Sequence, residues 1–221
     1  MAHFTDAGRA VVALDLRGHG RSDKPDGAYD MSVFADDVAW LCGELDLTKP
    51  VLIGHSMGGI IAFDLAARYP DLVGAIVMLD AAIVLPKAAR RAIPSFLAQL
   101  AGPDHRSALR NYVSSSLFLP TDDGARKAWI LDGMAAAPQH VMVAAFQGLG
   151  DYDPGVGRNR IAVPALYIAA DEPAARSDMD RLGSLIPSLQ LGKTVGSGHF
   201  CQLEVPEQVN AMIDRFLTLN T

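Results

Sequence analysis

Five short apolar runs recur along the chain: "AVVALDL" (10–16), "VLIGH" (51–55), "GAIVMLD" (74–80), "PALYIAA" (164–170) and "LQLGKTV" (189–195). The first four are almost continuously apolar, the pattern of strands buried on both faces of a parallel sheet. Between them the period changes. Phe34, Val38, Leu41 and Leu45 recur at helical spacing, as do Val209, Met212, Ile213, Phe216 and Leu217 near the end. Strand alternating with helix predicts an open α/β sheet with helices on its faces. Residues 85 to 155 break the alternation, being helical in composition, punctuated by Pro94, Pro103, Pro120 and Pro138, and lacking a convincing strand. The expected organisation is a core formed by 1–84 and 156–221, with a helical cap at 85–155 inserted on it.

Composition narrows the setting. With 221 residues, half of them apolar and a fifth charged, the chain can bury one sizeable core. A net charge of −6, without any run of lysine or arginine, offers no electrostatic footprint for nucleic acid or anionic membrane. The two cysteines, Cys42 and Cys201, are too few for a disulfide framework and lack the histidine pairing of a zinc site. "MAHFTDAGRA" has neither the basic segment nor the apolar stretch of a signal peptide, and no run approaches the ~20 apolar residues of a membrane span. The expectation is a soluble cytoplasmic protein acting on a small molecule, with no nucleic-acid or membrane partner.

The candidate chemistry begins at Gly54-His55-Ser56-Met57-Gly58, which fits Gly-x-Ser-x-Gly between a buried strand and the helix-like "GIIAFDLAARYP". A strand that turns directly into a helix strains the serine backbone and pushes its hydroxyl out at the C-terminal edge of the sheet. Glycines at 54 and 58 are expected to let the neighbouring backbone pass. The helix aims its N-terminal N–H groups at the same point, so the Met57 N–H is the candidate oxyanion donor.

A serine hydroxyl needs a base. His199, in the glycine-rich loop "VGSGHF" after the last strand, is the best placed of six histidines. His55 is expected to point into the scaffold, His19 lies in a turn, and His3, His105 and His140 have no motif around them. For the carboxylate that fixes the imidazole tautomer, Asp171 at the end of the fourth run is preferred. Asp80, at the end of the third, is the alternative, and Glu172 is expected to face solvent.

"DLRGHGRSDKP", "GHSMGG" and "GSGHF" together resemble the α/β-hydrolase superfamily, most closely its non-haem haloperoxidase, esterase and lactonase branch with a helical cap. The resemblance implies an α/β-hydrolase fold with a nucleophile elbow and supports Asp171, since the acid usually follows strand 7; a minority of members place it after strand 6, where Asp80 lies. It also implies about three strands ahead of "DLRGHG" and a His-Gly segment giving a second oxyanion donor. Neither is found here, so the chain is read as N-terminally truncated, with "AVVALDL" unpaired unless it pairs directly with "VLIGH".

Serine at the elbow argues against the aspartate-dependent dehalogenases and epoxide hydrolases of that superfamily. Acyl transfer to an ester, lactone or activated carbonyl fits, with no metal or organic cofactor implied. The alternatives are a cofactor-independent oxygenase or carbon–carbon bond hydrolase on the same scaffold, or a catalytically weak truncated form. The apolar cap residues, among them Phe96, Tyr112, Trp129 and Phe146, are expected mainly to pack the cap helices.

Overall fold

The computed structural model describes residues 2–220. Four parallel strands form one sheet in the order β1 (Val51–His55), β2 (Ala75–Leu79), β3 (Ala165–Ala169) and β4 (Gln190–Lys193). Pairing is in simple succession, with Gly54 opposite Met78, Met78 opposite Tyr167, and Tyr167 opposite Leu191. The strand ends that carry Ser56, Asp80 and Ala170 therefore lie at one edge of the sheet.

Burial of β2 on both faces follows from the two-residue period of a strand. Ile76 and Met78 enter one apolar cluster with α2 (Met31–Glu44) and α3 (Met57–Arg68). Ala75, Val77 and Leu79 enter another with Val209, Ile213, Phe216 and Leu217 of α10 (Pro206–Asn220) and with Phe4 of α1 (Ala2–Asp6). Helix α3 is buried from Gly59 to Ala67 because it is wedged between the sheet and α2. Its one charged buried residue, Asp64, is bonded by Arg68 Nε at 2.6 Å, and Arg68 also reaches Asp36 and the Ser32 carbonyl.

Four α-helices lie between β2 and β3, α4 (Lys87–Leu100), α5 (His105–Ser116), α6 (Gly124–Ala135) and α7 (Gln139–Asp151), followed by a short 3-10 helix at Pro154–Gly157. The four α-helices share an apolar cluster around Phe96, Leu100, Leu109 and Val113. Phe96 stacks on Tyr112 at 4.0 Å and meets Phe146 edge-on, so these rings pack against one another, whereas Trp129 is exposed. Pro94, expected as punctuation, sits inside α4, while Pro138 caps α7. Helix α8 (Met179–Leu185) lies between β3 and β4, and α9 (Cys201–Glu204) follows β4.

"AVVALDL" is not a strand. Residues 9–16 carry no regular structure and lie mostly exposed, and β1 is paired on the β2 side alone among the described residues. An apolar, strand-prone segment forms a strand only where a ladder partner is beside it, and this one has none among the described residues. The following "RGHGRS" turn is nevertheless held firmly: Arg17 makes a paired contact with Asp37 at 2.5 Å, and the Gly18 N–H donates to the Asp23 carbonyl.

Candidate active site

The elbow forms where the motif places it. Ser56 stands between β1 and α3 with φ 52° and ψ −118°, outside the ordinary regions for an L-residue, a conformation that costs on the order of 1–3 kcal/mol. Its N–H donates to the Leu79 carbonyl at 2.9 Å, which fastens the corner to the end of β2. A side chain at Gly54 would collide with the Gly58 carbonyl, so that glycine is required by close approach. Gly58 is different: a Cβ there meets open space, while one at Gly59 would strike Ala81. The second obligatory glycine is thus Gly59, because it is the residue that α3 presses onto the strand ends. Met57 opens α3, and its N–H belongs to the first turn, where no intrahelical acceptor exists.

His199 and Asp80 meet in the interior. His199 Nδ1 lies 2.7 Å from Asp80 Oδ2, with both side chains almost wholly buried. Asp80 follows β2 directly and takes φ 42°, a second strained residue at the same sheet edge. Its other oxygen accepts the Ala170 N–H at 3.1 Å. Burial alone would push this carboxyl up, but the His199 hydrogen bond and charge, the Ala170 N–H and the nearby Arg176 together hold it below the ordinary value.

Asp171 is not brought to His199. It is exposed and pairs with Lys193 Nζ at 2.9 Å, while its other oxygen accepts the Gly196 N–H at 3.0 Å; these contacts hold its carboxyl low. The reason is one of register. The chain leaving β3 turns so that the Asp171 N–H donates to the Ser197 carbonyl, which aims the side chain at the start of the histidine loop rather than at the ring. Asp171 shapes that loop together with the Thr194–Ser197 hydroxyl pair (2.6 Å) and the Gly198 N–H bond to Glu204 (2.8 Å).

Glu172 also departs from expectation. It is nearly buried and bound to Arg176, with Nη2 at 2.7 Å from Oε1 and 2.6 Å from Oε2. Arg176 escaped the sequence reading; the Glu172–Arg176 spacing of four was its one visible signal. His55 points into the scaffold as expected. Its Nε2 is 2.7 Å from the His199 carbonyl and the two rings are 4.5 Å apart. Burial, followed by the neighbouring His199, drives its pKa from 6.5 down to about 3, so the ring is neutral and Nε2–H donates to the carbonyl. Cys201 is a free thiol whose pKa burial pushes up to about 12. His3 is hydrogen-bonded to Asp214 and His19 to the Arg17 carbonyl, each away from this cluster.

A strained serine, an N-terminal helix turn and a buried histidine–carboxylate pair thus stand at the C-terminal edge of a parallel sheet. Over 70 residues the chain is 45% identical to the 2-(acetamidomethylene)succinate hydrolase of Mesorhizobium japonicum, a match covering 32% of this chain and 25% of that one. The first curated relatives are matched over only 21 to 25% of their own length. Solved structures agree over far more of the fold. An enol-lactonase from Burkholderia xenovorans superposes with a TM-score of 0.82 at 22% identity, over 92% of this chain and 79% of its own. A thermophilic esterase from Thermogutta terrifontis gives 0.81 at 25% identity, over 94% and 79%. No helix among the described residues is long and apolar enough to cross a membrane. The family profile described as the alpha/beta hydrolase fold matches residues 1–206, and the chain belongs to that family.

Proposed function

We propose that the protein is a serine hydrolase that cleaves a carboxylic ester, lactone or similarly activated carbonyl through an acyl-enzyme. The observation that carries this reading is the buried Asp80–His199 pair at the sheet edge where the strained Ser56 stands. Ser56 Oγ attacks the carbonyl carbon as His199 takes its proton. Asp80 holds the imidazole with Nδ1 protonated, so Nε2 is the basic nitrogen, and stabilises the imidazolium that forms. The tetrahedral oxyanion is received by the Met57 N–H, with the α3 dipole behind it. His199 then returns the proton to the leaving oxygen, and water activated by the same imidazole releases the acid. An enol-lactonase and an esterase among the structural neighbours support the substrate class without fixing a substrate for this chain.

The test is labelling by a fluorophosphonate probe together with turnover of p-nitrophenyl acetate. Both are expected in the wild type and lost in Ser56→Ala. Equal labelling of the variant, or oxygen uptake with an aromatic enol and no ester turnover, would overturn the acyl-enzyme reading.

A further inference from the structure

We propose that Arg176 is a positioning residue, set between Glu172 and Asp80 so that its fixed charge limits how strongly the Asp80–His199 pair holds a proton, and moored to the cap through Ser116. This rests on the hydrolase reading above and adds a residue that reading does not require.

The placement of the guanidinium carries the argument. Nη2 donates to the Ser116 carbonyl at the end of α5 (2.8 Å) and to Glu172. Nε lies 3.4 Å from Asp80 Oδ2, the same oxygen that His199 Nδ1 reaches at 2.7 Å. Nε is buried and makes no hydrogen bond to the described residues, so it acts on Asp80 by charge and not as a competing donor. Two carboxylates and one guanidinium sum to one negative charge, which a protonated His199 would cancel. Without Arg176 the same pocket would hold two negative charges around the imidazole, and a proton taken from serine would be retained too firmly for return to the leaving group.

Other groups facing the pair do not supply that charge. His55 on β1 is neutral, Cys201 on α9 is a thiol, and Tyr167 on β3 donates its hydroxyl to the Ala81 carbonyl. Tyr112 on α5 is kept protonated by burial, and Glu204, behind the Gly198 N–H, adds an acid. Arginine suits the position because its charge does not titrate and its planar fork can face two carboxylates at once.

The experiment compares wild type, Arg176→Met, Arg176→Lys and Glu172→Gln, following the His199 ring protons by NMR across pH and, in parallel, the pH dependence of fluorophosphonate labelling. Arg176→Met should move the His199 titration and the acidic limb of labelling upward by on the order of one pH unit. Glu172→Gln should move both downward, and Arg176→Lys should stay near wild type. Loosened packing would not give opposite signs for the two neutralising variants. An unmoved titration in Arg176→Met, or movement of Glu172→Gln in the same direction, overturns the proposal. If Arg176→Met does not fold, the downward shift in Glu172→Gln and the retained titration of Arg176→Lys decide it. Absence of labelling in the wild type would sink the hydrolase reading alone, since the NMR titration still reports on Arg176.

Discussion

His199 Nδ1 faces Asp80 Oδ2 at 2.7 Å, although Asp171 is nearer to it in sequence. Asp80→Asn keeps the shape of the acid but presents an amide that favours the wrong imidazole tautomer, and should lower kcat by on the order of 10⁴. Asp171→Asn retains ordinary activity to within about tenfold, because it alters only the mooring of the histidine loop. Steady-state kinetics on the two variants check this, and the reverse ranking would restore Asp171 as the acid.

His55 makes stability depend on pH. Its folded pKa, about 3, lies below its ordinary 6.5, so in that window the unfolded chain binds the extra proton. Stability is full above about pH 6.5 and declines as pH falls toward 3, with a slope approaching ~1.4 kcal/mol per pH unit from this group. His55→Gln, which can still donate to the His199 carbonyl, should flatten the curve between about pH 4 and 6. Urea unfolding at a series of pH values reads the slope directly.

The two glycines after the serine should answer differently to the same methyl group. Gly58→Ala is expected to be neutral or to stabilise α3 by up to ~1 kcal/mol, as its Cβ meets open space. Gly59→Ala drives a methyl into Ala81 beside Asp80 and should cost ~1–3 kcal/mol, with loss of activity. Thermal unfolding and ester turnover of both variants test this, and equal outcomes would contradict the close approach of α3 to residue 81.

Asp64 is a buried charge on the face of α3 that meets α2. Asp64→Ala leaves Arg68 facing an apolar helix interface with only Asp36 and the Ser32 carbonyl to hold it, and should destabilise by ~3 kcal/mol. A fall in Tm of roughly 6–12 °C follows for a chain of this size. A variant melting with wild type would place the stabilising role in the exposed Asp36 contact.

Much of this was legible from local pattern. "VLIGH" became β1 residue for residue, and the three further strands that formed fall inside their apolar runs, because period and burial decide such segments locally. Ser56 and His199 are announced by the glycines that their turns demand. The acid was harder to read: Asp80 and Asp171 both end a strand, and the choice is made by how the chain leaves β3, a rotation that no spacing records. Glu172 and Arg176 sit in an irregular loop without periodicity, and their mutual burial depends on Ser116 from a helix far away in sequence. The expected strand "AVVALDL", which does not form, illustrates the opposite limit, since its residues favour extension but strand formation belongs to the pair and not to the segment.

The serine hangs from a strand that, among the described residues, is laddered on one side only. Half of the backbone groups of β1 face away from β2, and Ile53 remains 44% exposed, so β1 is restrained less than the fully flanked β2 and β3. The elbow is carried by one of the two edge strands of the sheet, whose order is cheaper to lose than that of β2 or β3. On warming, activity should therefore fade before the helical signal does, and amide exchange should find β1 opening while β2 is still closed. Heat inactivation of this protein would then measure the loosening of one strand, not the melting of the fold.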